Sequence, residues 1–359
     1  MSMTSAVICA SETPAFPAMY AVSQIIERNL HRSESRDSTL WINPEKDASW
    51  LKTKSNCTSL KLFSQDFGTC SFLQQSGADV EFAAFPQSDG EKYQWIILNL
   101  PRQKALLRMM LDCAASLLAD DGVLWLAGEN KAGIKSADKL LKLHFGRVRK
   151  LDNARHCSLY EAGAVLNQPS FNPLSYRQQW ALDCKDSGID VISYPGVFAH
   201  GRIDAGSALL IDALAEMKLE GDVLDFACGA GIIGACIAAR QPHTSVTLLD
   251  TNALALRSCQ ETLATNHLQG CVLASDGLSK LESRFDIVVS NPPIHAGVKT
   301  DSRLSIRLLE SVHDHIRPGG MLILVANVHL PYEKWLSQHF GRCIGLATND
   351  NYKVILAKK

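Results

Sequence analysis

A chain of 359 residues is too long for one ordinary hydrophobic core and points to about two domains. Its 46% hydrophobic and 20% charged residues exclude a disordered chain, and a net charge of −1 excludes a polycation drawn to nucleic acid as a whole. No run reaches the ~18 apolar residues of a membrane span, and MSMTSAVICASETPAFPAMY lacks the basic and apolar regions of a secretory signal, so a cytoplasmic chain without membrane contact is expected.

Before residue 90 the chain is polar and resists segmentation. Residues 93–101 (YQWIILNLP) form a β-branched run ending in a polar turn, followed by a helical stretch, ADDG and a strand at 123–127. A helix then ends in HFGR (144–147), and a strand pair closes with CSLYEA. Turn residues cluster at 163–172 (GAVLNQPSFN), so the expected division is a first domain at 1–165, a linker at 166–188 and a second domain at 189–359. Residues 189–198 (IDVISYPGVF) read as a strand pair or hairpin. A helix is expected at 208–217, which Asp204 or Ser207 could N-cap.

Further strands follow at 223–226, 245–249, 271–274 and 285–290, then a helical stretch, RPGG and a strand at 321–326. A second HFGR (339–342) precedes a last strand pair ending in KVILAK. The order strand, helix, strand, helix, two strands thus occurs twice. Together with the repeated tetrapeptide it favours duplication of a doubly wound α/β unit over chance similarity. Only the second copy has a glycine-rich turn and a full Asn-Pro-Pro; the first has Asn99-Leu100-Pro101 and reads as a degenerate copy without a cofactor pocket.

The eleven cysteines form no C-x-x-C pair and have no His at metal-ligand spacing. They read as buried thiols in a reducing cytosol rather than as a disulfide framework, and no metal site is expected.

The strand 223–226 runs through Asp225 into Ala227-Cys228-Gly229-Ala230-Gly231, with a helix from Ile232. Gly229 and Gly231 let backbone N–H groups approach a ligand. Asp250, about 20 residues on, suits a ribose diol, and Asp276, followed by Gly277, could accept from an adenine amine. The run A-C-G-A-G-I-I-G lacks the G-x-G-x-x-G of dinucleotide sites. Asp225 would repel a pyrophosphate but complement the ammonium and sulfonium of S-adenosylmethionine. A plain tight turn is the alternative. Phe198 could line the same pocket or lie in the core, and Asp204 is a further cofactor candidate.

Asn291-Pro292-Pro293-Ile294 directly follows the strand 285–290. The lone pair of an exocyclic amine on a base is delocalised into the ring. Acceptors at the Asn291 side chain and the Pro292 carbonyl would pull that nitrogen toward sp3 geometry, and two prolines would stiffen the corner. The bland reading is a rigid strand-end turn. Ile294 stands where an aromatic would stack on the base, and His295 either helps hold the base or is structural. Between Lys131 and His156, eight cations (Lys131, Lys135, Lys139, Lys142, Arg147, Arg149, Lys150 and Arg155) face two Asp, and the four lysines recur at helical spacing. Contact with RNA and a solvated helix face are the two readings.

The segments GENKAGIKSA, NARHCSLY, PGVFAHGRIDAGSALL, VLDFACGAG, SNPPIHAG and VANVHLPY resemble the bacterial small-subunit ribosomal RNA guanine-N2 methyltransferases. The resemblance covers most of the chain, weakly before residue 90. It implies two tandem Rossmann-like methyltransferase domains, the first not catalytic. It also implies methyl transfer from S-adenosylmethionine to a guanosine N2 of 16S rRNA, naked or within an assembled small subunit; a monomer is expected. Ala227 and Ile294 depart from the usual Gly and Phe. The alternatives are another planar acceptor, adenine N6 or a glutamine amide, and a non-catalytic RNA-binding assembly factor.

Overall fold

The apolar runs become the strands of two separate seven-stranded sheets in the computed structural model, which describes residues 15–33, 36–87, 90–166, 170–185, 187–278, 281–292 and 311–359. The chain divides into two compact units between Phe171 and Asn172.

In the first unit the strands are β1 (Arg36–Ile42), β2 (Cys57–Ser64), β3 (Val80–Phe82), β4 (Tyr93–Asn99), β5 (Leu118–Glu129), β6 (Phe145–Ala154) and β7 (Cys157–Val165), in the order β3-β2-β1-β4-β5-β7-β6. Its helices are α1 (Ala21–Asn29), α2 (Ser49–Lys54), α3 (Phe67–Gln75), α4 (Lys104–Leu117) and α5 (Ala137–His144). All of α1 to β3 lies in the stretch that sequence patterning leaves unsegmented. Those elements are short, and β2 exposes its first half, which masks the buried residues Leu62 and Phe63 at its end.

The second unit opens with a hairpin, β8 (Gln178–Asp183) and β9 (Gly188–Ser193). The segment expected as a linker therefore contains a strand, and the partner of β9 lies upstream of it rather than within 189–198. β8 alternates exposed and half-buried positions with no strongly apolar face, which is why it reads as a connection. The main sheet comprises β10 (Gly221–Phe226), β11 (Thr244–Asp250), β12 (Cys271–Ala274), β13 (Phe285–Ser290), β14 (Ile316–Asn327), β15 (Arg342–Thr348) and β16 (Tyr352–Lys358). Their order, β12-β11-β10-β13-β14-β16-β15, repeats that of the first unit, and in each sheet the penultimate strand, β7 or β16, runs against its neighbours. Both HFGR sequences fall at the helix-to-strand junction that leads into the edge strand.

Described helices are α6 (Ala205–Ala215), α7 (Ile232–Arg240), α8 (Ala253–Thr265) and α9 (Tyr332–Leu336). Successive strand residues point to opposite faces. Asp225 accepts a hydrogen bond from Gly234 of α7, whereas Leu224 and Phe226 join Tyr332 and Leu336 of α9 in one core. Helices thus cover both faces, and central strands such as β13 are continuous apolar runs.

One expectation about the cysteines is corrected. Cys184, just after β8, is disulfide-bonded to Cys236 of α7. The hairpin carries Cys184 onto the helix with a Cα–Cα distance of 5.6 Å, a proximity that spacing along 52 residues does not reveal. Among the described residues no helix is long and apolar enough to cross a membrane.

Candidate active site

In the second unit the chain leaves β10 in one direction for β11 and β12, then returns to the other side of β10 as β13. The reversal between β10 and β13 opens a crevice at the carboxyl ends of those parallel strands, where open α/β sheets bind ligands. The loop after β10, Asp250 at the end of β11, Asp276 after β12 and Asn291 after β13 all lie on this edge.

Tight turning shapes the loop. Ala227, Gly229 and Gly231 have φ of 60°, 57° and 74°, the left-handed region that glycine occupies freely and alanine does not. A Cβ on Gly229 would have open space, so the loop leaves a cradle there rather than packed protein. The Gly229 N–H donates to Asp250 Oδ2 (2.9 Å) and the Asn252 N–H to Oδ1 (2.9 Å), which ties the loop to β11. The Cys228 thiol is buried, and contact with the Cys259 thiol pushes its pKa up, with burial adding to the effect. Asp276 is exposed, and Gly277 beside it has φ of 73° and open space at its Cβ position.

Asp225 is fully buried. Its Oδ2 accepts from the Gly234 N–H (2.8 Å), while Oδ1 has no hydrogen-bond partner among the described residues. Burial pushes its pKa up to about 7, against the Gly234 hydrogen bond and helped by Asp250. An orphaned buried carboxylate oxygen is costly and is relieved by a cation or donor. Together with the cradle at Gly229 and the acceptors at Asp250 and Asp276, it suits S-adenosylmethionine, a cationic ligand with a ribose and an amine-bearing base.

The Asn291 corner is held from two sides. The Ser290 hydroxyl donates to the Phe226 carbonyl (2.8 Å), pinning the end of β13 to the end of β10. The Asn291 Nδ2 donates to Asp204 Oδ2 (3.0 Å) and to Ser207 Oγ (2.9 Å), and Pro292 is buried. Pro293, Ile294 and His295 lie outside the described residues. Asp204 is the N-cap of α6, accepting from the Gly206 and Ser207 N–H groups; Ser207 is the third residue of that helix, not its cap.

Phe198 is 63% exposed, which excludes a core role. It sits on a turn built on Ser193, whose hydroxyl meets His200 Nδ1 (2.9 Å) and accepts from the Gly201 N–H (3.0 Å). The cluster Arg177–Glu261–Tyr194–Arg257 has no signature in the sequence. Both arginines pair with Glu261, and the Tyr194 hydroxyl donates to the same carboxylate, anchoring the start of that turn on α8. Only the fold brings these separated residues together.

The corresponding corner of the first unit is built differently. Asn99 occupies the register position of Asn291, and Trp41 that of Asp225. The buried Trp41 indole Nε1 donates to Asn99 Oδ1 (2.9 Å), so that oxygen already has a partner inside the fold.

All eight cations between Lys131 and Arg155 are exposed. The four lysines, Lys131, Lys135, Lys139 and Lys142, do not share one helix face as their spacing suggests. Gly133, with φ of 95°, breaks the segment into two short 3-10 turns carrying Lys131 and Lys135, followed by α5 with Lys139 and Lys142. Arg147, Arg149 and Lys150 lie on the edge strand β6, and Arg155 lies in the β6–β7 turn. Lys131, Lys142 and Arg149 pair with Glu129, Asp138 and Glu161.

Known proteins share this arrangement. Residues 23–180 match the methyltransferase small domain N-terminal family, and residues 188–356 match the methyltransferase small domain. A ribosomal RNA small subunit methyltransferase C of Shewanella amazonensis is 36% identical over 341 residues, covering 94% of this chain and 98% of that protein. The Pseudomonas paraeruginosa protein of the same name is 41% identical over 263 residues, 73% of this chain and 78% of its own length. The solved structure of the T. thermophilus 16S rRNA N2 G1207 methyltransferase, in complex with AdoMet and guanosine, superposes with a TM-score of 0.81 at 25% identity, covering 93% of this chain and 92% of that one. The tandem α/β units, the cofactor crevice and these relationships place the chain in the ribosomal RNA small subunit methyltransferase C family.

Proposed function

We propose that this chain transfers the methyl group of S-adenosylmethionine to the exocyclic N2 amine of a guanosine in small-subunit ribosomal RNA. The observation that carries the reading is the Asn291 corner, which stands at the β10–β13 reversal beside the glycine loop with both amide hydrogens already engaged. The bound cofactor supplies an electrophilic methyl on a sulfonium. Asp225, Asp250 and Asp276 with Gly277 and the 227–231 loop hold it, and Phe198 lines its pocket from the turn before α6. The Asn291 side-chain oxygen and the Pro292 carbonyl each accept one N–H of the target amine and aim its lone pair, which is preorganised electrostatic catalysis. Ile294 and His295, which follow the corner in sequence, are the proposed further contacts of the base. The proton leaves to solvent after transfer, so no dedicated base is needed.

The same corner would serve an adenine N6 or a glutamine amide. The guanosine bound by the T. thermophilus relative favours guanine N2. The basic segment of the first unit, Lys131 to Arg155, supplies phosphate contacts to the rRNA, naked or in the assembled subunit. The protein works in the cytoplasm as a monomer.

The test is incubation with tritiated cofactor and unmethylated small subunits or free 16S rRNA, followed by mapping of the label. Label on a single guanosine N2 is expected. Asn291→Ala should abolish transfer while cofactor binding, followed by calorimetry, persists; undiminished transfer by that variant refutes the assignment.

A further inference from the structure

The two ends of an asparagine amide have nearly the same shape, and only their partners decide which end faces a ligand. At Asn291 the partner is a carboxylate, which in its ionised form can only accept. Asp204 Oδ2 lies 3.0 Å from Asn291 Nδ2, and Ser207 Oγ lies 2.9 Å from the same nitrogen. Both amide hydrogens are therefore used, and no donor to Asn291 Oδ1 is found among the described residues.

Flipping the amide would set its oxygen against the carboxylate and lose the hydrogen bond to Asp204, which fixes the orientation, whereas the Ser207 hydroxyl can turn to donate to either end. The carboxylate cannot turn away either, because the same Oδ2 caps α6, accepting from the Gly206 N–H (3.0 Å) and the Ser207 N–H (3.2 Å). Ser207 is buried, and α6 packs on β14 and β16. A rigid helix end thus carries both groups.

We propose that Asp204 and Ser207 are positioning residues that lock the Asn291 amide with its carbonyl oxygen, and not its NH2, toward the methyl acceptor. The inference rests on the reading of Asn291 as the acceptor of the target amine's N–H. It gives Asp204 a role at the corner through Oδ2, the oxygen that serves the helix N–H groups and Asn291. An inverted amide would present donors to a nitrogen that must itself donate, so orientation decides whether the corner works.

Three variants separate this role from a structural one. Asp204→Ser keeps an N-capping hydroxyl but is too short to reach Asn291. Asp204→Asn should keep all three hydrogen bonds, because the helix N–H groups hold its carbonyl oxygen at the Oδ2 position. Ser207→Ala removes one amide partner and leaves the cap. With small subunits as substrate, kcat should fall about 10- to 100-fold in Asp204→Ser and about tenfold in Ser207→Ala, the range of one lost hydrogen bond to a charged or neutral group. Asp204→Asn should stay within about threefold of the parent.

Cofactor affinity by calorimetry should not change in any of the three. In the cofactor-free protein, the Asn291 side-chain NH2 should give two exchange-protected NMR signals that lose protection in Asp204→Ser. Parental kcat in Asp204→Ser and Ser207→Ala, beside an inactive Asn291→Ala, would overturn this inference and leave the catalytic reading standing. Activity in Asn291→Ala would remove the reading itself. Weakened cofactor binding in Asp204→Ser would make Asp204 a cofactor ligand, and equal losses in Asp204→Asn and Asp204→Ser would make charge the operative property; either result also overturns the inference.

Discussion

Asp225 combines complete burial, a hydrogen bond to one oxygen and none to the other. Its pKa of about 7 in the fold, against 3.8 for the unperturbed group, means that the folded state holds the proton more tightly than the unfolded state. Stability from this group is therefore complete below about pH 4 and is lost as the pH rises through 7, an effect of up to about 4 kcal/mol. Urea unfolding of the cofactor-free protein should show a fall in stability from pH 5 to pH 8 that largely disappears in Asp225→Asn. A cation beside the carboxylate favours its ionised form, so cofactor affinity should rise between pH 6 and pH 8. Calorimetry should find that rise absent in Asp225→Asn, together with at least about tenfold weaker binding. Ala227 carries a different cost, a side chain at φ of 60°. Ala227→Gly should stabilise the protein by about 1 kcal/mol in the same urea assay and tighten cofactor binding, because the strain and the methyl group both go. A parental midpoint in that variant would show that the loop holds no such strain.

The start of α7 depends on a close approach between a helix and a strand. A Cβ on Gly234 would lie 2.5 Å from Leu248 Cδ2 and 3.1 Å from Asp225 Oδ2, so the helix reaches β11 and the buried carboxylate only because that residue has no side chain. Gly234→Ala should destabilise the unit by about 1–3 kcal/mol and weaken cofactor binding, as read by thermal unfolding and calorimetry. Leu248→Val in the same chain should recover part of the stability by making room, and a neutral single variant would contradict the packing described. Other elements owe their form to single residues. Gly133 divides what lysine spacing presents as one basic helix, and the Arg155-His156 turn, with φ of 52° and 61°, closes the β6–β7 hairpin on an edge that carries three cations. The central strands were legible because burial on both faces leaves a continuous apolar run, as in FDIVVS and YQWIILN. β8 was not legible, because its half-exposed alternation looks like a connection.

At the scale of the molecule, a net charge of −1 leaves attraction to RNA to local patches. Replacing Arg147, Lys150 and Arg155 together by Glu should weaken binding to small-subunit rRNA at least about tenfold at 0.1 M salt. The slope of log affinity against log salt should fall by about 1 for each phosphate that no longer meets a cation, with cofactor affinity unchanged. Filter binding across a salt series measures both, and an unaltered slope would assign the patch to solvent. The sequence by itself determined the duplication, the cofactor loop, its succession of strand-end acids and the asparagine–proline corner. These features are contiguous, and their chemistry demands particular residue types at short spacing. Tertiary structure alone decided which way the Asn291 amide points, since its partner Asp204 lies 87 residues away. It likewise decided that Trp41 hydrogen-bonds Asn99 from 58 residues off and that Cys184 reaches Cys236. Periodicity records how each residue is buried relative to its chain neighbours, whereas such pairings depend on where crossovers return the chain, and no local pattern carries that distance.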